Sequence, residues 1–177
     1  MTENIFLKAA LQYINIGFSV FPVKPKGKEP LTAHGCRDAS TDENQIKKWW
    51  QQYPNANVGL AMGNGLIAID LDVDEDKGVN GYHVLCDWQR ENGELPDTIL
   101  SITGRGGYHM IFRTEKDYKN AVGLYDGVDV RSNGGYIIAP PSIHPNGHTY
   151  QCVRWRGLSI LHRFFSMFLN QFILTFF

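Results

Sequence analysis

The sequence predicts an α+β fold (a two-layer α/β arrangement) with a mixed or antiparallel sheet. Two segments with apolar residues at helical spacing come early in the chain, and a third interrupts the remainder. Between and after them lie short apolar segments of strand length, several of them joined by glycine-rich links. Strands that follow one another through short turns pair antiparallel, which favours α+β over a parallel βαβ protein.

Three helices are expected. The first covers residues 3–16 and ends before Gly17, which suits a helix C-terminus. The second begins after Thr41, a residue type that caps helix N-termini, and runs to Gln52. The third covers residues 79–92.

Eight apolar segments are predicted to be strands, and glycine-rich links join three consecutive pairs of them, which predicts three hairpins. The segments are residues 19–22, 58–62, 66–71, 98–103, 108–112, 128–130, 136–139 and 149–153. The links of the three hairpins are residues 63–65, 104–107 and 133–135. The last strand is expected to close the sheet.

The length of 177 residues fits one domain, which we expect to cover residues 1–157. Residues 158–177 differ from the rest, because 13 of these 20 are apolar. They are predicted to form a C-terminal helix that packs on the core or on a partner. A truncated or atypical tail and, less favoured, a membrane contact are the alternatives.

Charge and cysteine content restrict the function further. The formal net charge is -1, so any affinity for DNA must come from a local basic patch. Three scattered cysteines without a CxxC pair disfavour a zinc knuckle. This sparse cysteine content, with no signal-peptide pattern at the N-terminus, predicts a cytoplasmic protein.

Two carboxylates end the most apolar predicted strand. Asp70 and Asp72 are two residues apart, so on a strand they point to the same face with Cα atoms roughly 6.6 Å apart. Paired carboxylates can share the hard cations that in-line phosphoryl displacement uses. The alternative is a pair of acids at a solvated strand end.

The glycine-rich link before the strand 108–112 suggests an anion site. Consecutive glycines, among them Gly106 and Gly107, let backbone N–H groups approach a phosphate closely. Arg105 adds a positive charge, and His109 follows on the strand. A plain glycine hairpin with a hydrogen-bonded histidine is the alternative.

A third acid, Asp129, lies between two valines on a predicted strand. A carboxylate among apolar residues is costly unless it is paired or bound to metal. Arg131 lies on the same face of that strand, so an Asp129–Arg131 salt bridge is one interpretation. In the other, Asp129 is a metal ligand and Arg131 contacts nucleotide phosphates.

Taken in order, these segments resemble the N-terminal domain of bifunctional DNA primase/polymerases (Prim-Pol), within the archaeo-eukaryotic primase superfamily. The resemblance covers about residues 9–155, and each piece alone is weakly specific. The segments that carry it are "ALQYINIGFSVFPVKPKGKEP", "WWQQYPNANVGLAMG", "IAIDLD", "TGRGGYHMIF" and "GVDVRSNGGYIIAPPSIHPNGHTY".

The resemblance implies a primase catalytic core with an RRM-like unit. It further implies Mg²⁺ or Mn²⁺ on three acids, a histidine that serves the incoming nucleotide, and two additional nucleotide-pocket positions. The implied partners are a DNA template and primer, nucleoside triphosphates and a replicative helicase, in a phage or plasmid replicon. The implied metal ligands are Asp70, Asp72 and Asp129, the implied nucleotide contact is His109, and the implied pocket positions are Lys28 and Asn57.

Two other functions stay open at this point. A relative without catalysis would bind DNA or a replication partner, which the net charge of -1 and the apolar tail favour modestly. A metal-dependent nuclease would use the same acids for hydrolysis. The sequence also lacks the cysteines of the zinc-binding stem that some relatives carry.

Overall fold

The structure is a computed structural model that describes residues 4–116, 118–155 and 157–161. Its helices and antiparallel sheets confirm the predicted α+β class. In the described ranges the α-helices are α1 (Ile5–Asn15), α2 (Glu43–Gln52) and α3 (Gly81–Asn92), and Gly35–Asp38 and Glu75–Lys77 are short 3₁₀ helices. The strands are β1 (Val20–Val23), β2 (Asn57–Ala61), β3 (Leu66–Leu71), β4 (Val73–Asp74), β5 (Val79–Asn80), β6 (Ile99–Ile102), β7 (Tyr108–Arg113), β8 (Ala121–Tyr125), β9 (Val128–Arg131), β10 (Tyr136–Ala139) and β11 (Gln151–Arg154).

All three helices begin at a side-chain cap. The Asn4 carboxamide oxygen accepts the N–H groups of Phe6 and Leu7 at the start of α1. Asp42, and not the predicted Thr41, caps α2 by accepting the N–H of Asn44. The carboxylate at this position also complements the positive end of the helix dipole.

The strands form one sheet of three strands, one of six and a short two-stranded ribbon. The orders are β1-β2-β10, β11-β6-β7-β3-β9-β8 and β4-β5, and neighbouring strands are antiparallel throughout. The strand expected to close the sheet, β11, instead lies at its edge beside β6.

The predicted hairpin of β6 and β7 is confirmed, and the other two are wrong. Strands β2 and β3 lie in different sheets, as do β9 and β10. Their links meet each other: the N–H of Asn64 points to the Asn133 oxygen at 3.3 Å, and a Cβ on Gly63 would lie 2.1 Å from that oxygen. Each glycine-rich link therefore carries the chain from one sheet to the other.

Strand β8 was not predicted. It precedes β9 and pairs with it, with Tyr125 opposite Val128 across the turn at Asp126 and Gly127. An Asp-Gly pair between apolar residues is a strong hairpin signal, so the sequence did contain the information.

Two apolar clusters enclose the six-stranded sheet. On one face, Ile67, Ile69 and Leu71 of β3 pack with Leu85 of α3. On the other, Ala68 belongs to the cluster that α1, α2 and the three-stranded sheet share. Strand β3 is therefore buried on both faces, and only Asp70 is partly exposed.

The segment after β11 continues along the sheet. The Arg113 backbone donates to Ser159 at 3.0 Å and accepts from Leu161 at 2.9 Å, and the Leu161 side chain is buried. Residues 158–161 are thus extended and not helical; the rest of the predicted helix, residues 162–177, lies outside the described residues. Within the described ranges, no helix has the length and apolarity needed to cross a membrane.

Candidate active site

The central residue of the candidate site is Asp70, near the end of β3. The register places His109 of β7 directly opposite it on one side and Asp129 of β9 directly opposite on the other. Directly opposed residues on antiparallel strands share a face and have Cβ atoms about 4.5–5.5 Å apart. Three residues from separate parts of the chain therefore form one row across the sheet.

An arginine links the two acids of this row. An Arg131 terminal nitrogen lies 2.6 Å from Asp129 Oδ2 and 3.4 Å from Asp70 Oδ2. On the other side, His109 Nε2 lies 3.3 Å from Asp70 Oδ1. The Asp129–Arg131 salt bridge considered from sequence is thus present, and it extends to an acid on the neighbouring strand.

Asp129 also has a backbone partner. The Gly123 N–H donates to Asp129 Oδ1 at 2.6 Å. Gly123 has a φ of +67°, and the pairing of β8 with β9 shifts register around it. This bulge turns the N–H toward the carboxylate, which a residue in ordinary strand conformation would not do.

Burial alone would raise the pKa of Asp70. The charge and hydrogen bond of His109 and the charges of Arg131 and Lys28 outweigh it and hold this pKa below its usual value. Asp70 is therefore ionised in a nearly enclosed position.

Asp72 follows β3, and glycine packing fixes its backbone. Its N–H donates to the Gly127 carbonyl and its carbonyl accepts from Gly81, both at 2.8 Å. A Cβ on Gly81 would lie 2.0 Å from the Gly127 oxygen, so this approach requires glycine. Desolvation, then the neighbouring Asp70, raises the pKa of Asp72, and Asp129 adds to the rise. The three acids therefore share one electrostatic environment.

The donor chemistry of this face fits Mg²⁺ or Mn²⁺, which take carboxylate oxygens. Desolvation first, and the charge of Asp70 second, raise the pKa of Asp72, and a bound cation would stabilise its ionised form against both. As they stand, however, no three Asp, Glu, His or Cys side chains in the described part of the chain are grouped to hold a metal ion. Arg131 already occupies oxygens of Asp70 and Asp129.

A cavity of about 190 Å³ opens beside the row. Lys28 reaches it from the loop after β1, while Lys24 and Lys26 of that loop are exposed. The three lysines belong to one loop, and contact of this loop with DNA stays a prediction. The lining of the cavity includes Lys28, Asp70, His109, Asn120, Arg131, Tyr136 and Tyr150.

The glycine-rich link between β6 and β7 is a tight hairpin turn beside β3. Gly106 has a φ of +85° and its N–H donates to the Thr103 carbonyl, so that N–H serves the turn. A Cβ on Gly107 would lie 2.2 Å from the Leu71 oxygen. Close packing therefore explains Gly107, and contact of this turn with a phosphate stays a prediction.

Two other predicted nucleotide contacts lie apart from the row. Arg105 is 3.6 Å from Asp74 and lines a neighbouring depression beyond the glycine turn. Asn57 is fully buried, and its carboxamide bonds the backbone of Gly27 and Ile143. Asn57 thus joins the lysine loop to the segment before β11, and its contact with nucleotide stays a prediction.

A comparison with protein families decides the relationship. The model of the bifunctional DNA primase/polymerase N-terminal family, Prim-Pol, matches residues 10–161. The chain belongs to the Prim-Pol family. It is thus a primase/polymerase-type domain, and DNA and nucleotides are the substrates of such domains. No curated protein matches the chain.

The Prim-Pol domain contains one further site residue that sequence reasoning missed. Tyr150 is 2% exposed, lines the cavity and stacks on His109, with ring centroids 5.9 Å apart and an interplanar angle of 28°. Burial, then Asp70 and Asp72, raises its pKa. Nothing in its local sequence indicates this contact. Tyr150 directly precedes β11, and β6 lies between β11 and the strand of His109, β7.

Proposed function

We propose that this Prim-Pol domain transfers nucleotides to the 3′ end of a DNA primer under the direction of a template. The observation that supports it is the row of Asp70, His109 and Asp129 across three strands, with Asp72 just after the end of β3. Acids brought together in this way suit phosphoryl transfer, where positioning and charge neutralisation do most of the work.

Asp70, Asp72 and Asp129 would hold two Mg²⁺ or Mn²⁺ ions. Such ions lower the pKa of an attacking hydroxyl and stabilise the charge that develops on a departing pyrophosphate. Arg131 and Lys28 face the cavity and supply positive charge for a triphosphate. His109 keeps one ring nitrogen, Nδ1, buried without a hydrogen-bond partner among the described residues, so its imidazole has a spare polar atom.

Primer extension tests the proposal most directly. Asp70→Ala and Asp72→Ala should each abolish nucleotide incorporation on a primed template, measured with deoxy- and ribonucleotides in Mg²⁺ and in Mn²⁺. Asp87→Ala is the matched control, because Asp87 is an exposed acid of α3 paired with Arg90. Circular dichroism checks that all three variants fold. Incorporation at the wild-type rate by both Asp70→Ala and Asp72→Ala would refute the assignment.

One observation favours a second candidate, a module that binds DNA or a replication partner without catalysis. Arg131 neutralises two of the three acids, as it would in a site that has lost its metal. Calorimetry that detects no divalent ion with triphosphate present would support this candidate. If labelled DNA instead shortens without triphosphates, the acids serve a nuclease. A replicative helicase as partner stays part of the proposal and is tested by co-purification.

A further inference from the structure

All four carboxylate oxygens of Asp70 and Asp129 face a donor. For Asp70, His109 lies at one oxygen and Arg131 at the other. For Asp129, the Gly123 N–H lies at one oxygen and Arg131 at the other. A cation that binds between these acids therefore meets the positive charge of Arg131, which is the donor common to both.

Arg131 is also the donor that can leave most easily. The Gly123 N–H belongs to the backbone, and the buried His109 ring is stacked on Tyr150. The Arg131 side chain is 24% exposed and lines the cavity, so it has space into which it can turn. Among the described residues no ion pair holds it apart from those with Asp70 and Asp129.

Two nearly buried carboxylates side by side repel each other and need a counter-charge. In this structure the Arg131 guanidinium supplies that charge, since Asp70 and Asp129 are only 14% and 11% exposed. Lys28 contributes positive potential to Asp70 and Asp72, but the described residues show no ion pair for it. Arg131 thus contacts the carboxylate oxygens directly, whereas Lys28 acts on the acids only through its charge.

From this geometry we infer that the Arg131 guanidinium is a resident counter-ion that excludes divalent cations until a triphosphate draws it away. The inference rests on the proposed function. Guanidinium and metal compete for the same oxygens of Asp70 and Asp129, so metal binds weakly to the domain alone. A triphosphate in the cavity offers Arg131 another anion, and metal and nucleotide then strengthen each other's binding by one common factor.

Binding of Mn²⁺ tests this without any turnover. The free Mn²⁺ signal in electron paramagnetic resonance gives the affinity of the full chain in the absence of DNA. Arg131→Gln should bind Mn²⁺ at least about tenfold more tightly than wild type without nucleotide. Lys28→Gln, the matched control, removes the same charge from the same cavity and should change the affinity by no more than about threefold.

Two further measurements complete the test. Once the Mn²⁺–nucleotide complex that forms without protein is subtracted, a non-hydrolysable nucleoside triphosphate should tighten Mn²⁺ binding to wild type by at least about tenfold and to Arg131→Gln by much less. In EDTA, Arg131→Gln should melt at a lower temperature than wild type. Mn²⁺ in place of EDTA should raise the melting temperature of the variant to that of wild type. If Arg131→Gln does not fold, Arg131→Lys replaces it, and we expect an intermediate affinity because lysine cannot bridge both acids in the same way.

The outcomes separate the inference from the proposed function. An equal gain in Mn²⁺ affinity in Arg131→Gln and Lys28→Gln would show a general effect of positive charge. Tight Mn²⁺ binding by wild type in the absence of nucleotide would show that Arg131 does not exclude the cation. Either result overturns the inference and leaves nucleotidyl transfer intact. Absence of Mn²⁺ binding in all variants, with and without nucleotide, overturns both.

Discussion

The two faces of β3 differ in how the same strand is stabilised. On one face, Ile67, Ile69 and Leu71 pack with α3. On the other, Ala68 is followed by Asp70, whose carboxylate lies between the imidazole of His109 and the guanidinium of Arg131. Burial of the apolar face lowers the free energy of the folded state. Burial of the charged face removes its hydration, so this face depends on partners with fixed positions.

This difference predicts opposite tolerances. The apolar face should accept changes that keep its volume, because dispersion and burial are non-directional. The charged face should not accept even a change of one donor, because each carboxylate oxygen has a particular partner. Variants on the two faces should therefore separate stability from catalysis.

Ile69→Ala should give the largest change in stability and little change in chemistry. Ile69 is fully buried against α3, so its truncation should cost about 2–4 kcal/mol of unfolding free energy. Well below the melting temperature, nucleotide incorporation per folded molecule should stay within about twofold of wild type. Denaturant titration and primer extension measure the two quantities, and Ile69→Val should lie between. A large catalytic defect with full stability would show that the faces are not separable.

Tyr150 offers an intermediate effect on the charged face. Tyr150→Leu removes the ring that stacks on His109 and should lower incorporation about tenfold, while Tyr150→Phe keeps the ring and most activity. Equal defects in both variants would point to the hydroxyl group in place of the stacking.

The smallest expected effect compares Asp72 with Asp70 in metal-free protein. Because the fold raises the pKa of Asp72, its contribution to stability is present below the unfolded pKa and lost as pH rises through the folded pKa. Asp72→Asn should therefore stabilise the protein at pH 7, but only by a few tenths of a kcal/mol because Asp72 is exposed.

Asp70→Asn should have the opposite sign. The pKa of Asp70 is lowered, so its contribution is present above the unfolded pKa and lost as pH falls through the folded pKa. At pH 7 the variant should be less stable than wild type, and near pH 3 the difference should shrink. Urea unfolding in EDTA at several pH values checks both signs; stabilisation by Asp70→Asn would contradict the assigned partners.

Much of the site could be predicted because it depends on local geometry. The two-residue period of a strand puts Asp70 with Asp72, and Asp129 with Arg131, on common faces. The Gly104–Gly107 link between two apolar segments predicted the β6–β7 hairpin that presents His109. The three helical segments were predicted, but α2 is capped by Asp42 and α3 begins at Gly81, because Val79 and Asn80 form β5.

Pairing between strands could not be predicted in the same way. The links at residues 63–65 and 133–135 have the composition of hairpin turns, yet each connects the two sheets. Glycine permits a tight turn and a crossover equally, so composition does not distinguish them. The contact of Asn133 with Asn64 and Gly63, from links far apart in the chain, accompanies the crossover.

The sequence alone therefore determined which side chains share a face, which three segments are helical and which residues carry the charges. Only the tertiary structure decided that Asp70 lies between His109 and Asp129, that Arg131 bridges both acids, and that Tyr150 supports the histidine. The physical reason is that side-chain direction follows from neighbouring backbone dihedrals. Strand order, in contrast, depends on which distant segments pair with each other, because many segments could form the same hydrogen bonds and fill the same buried space.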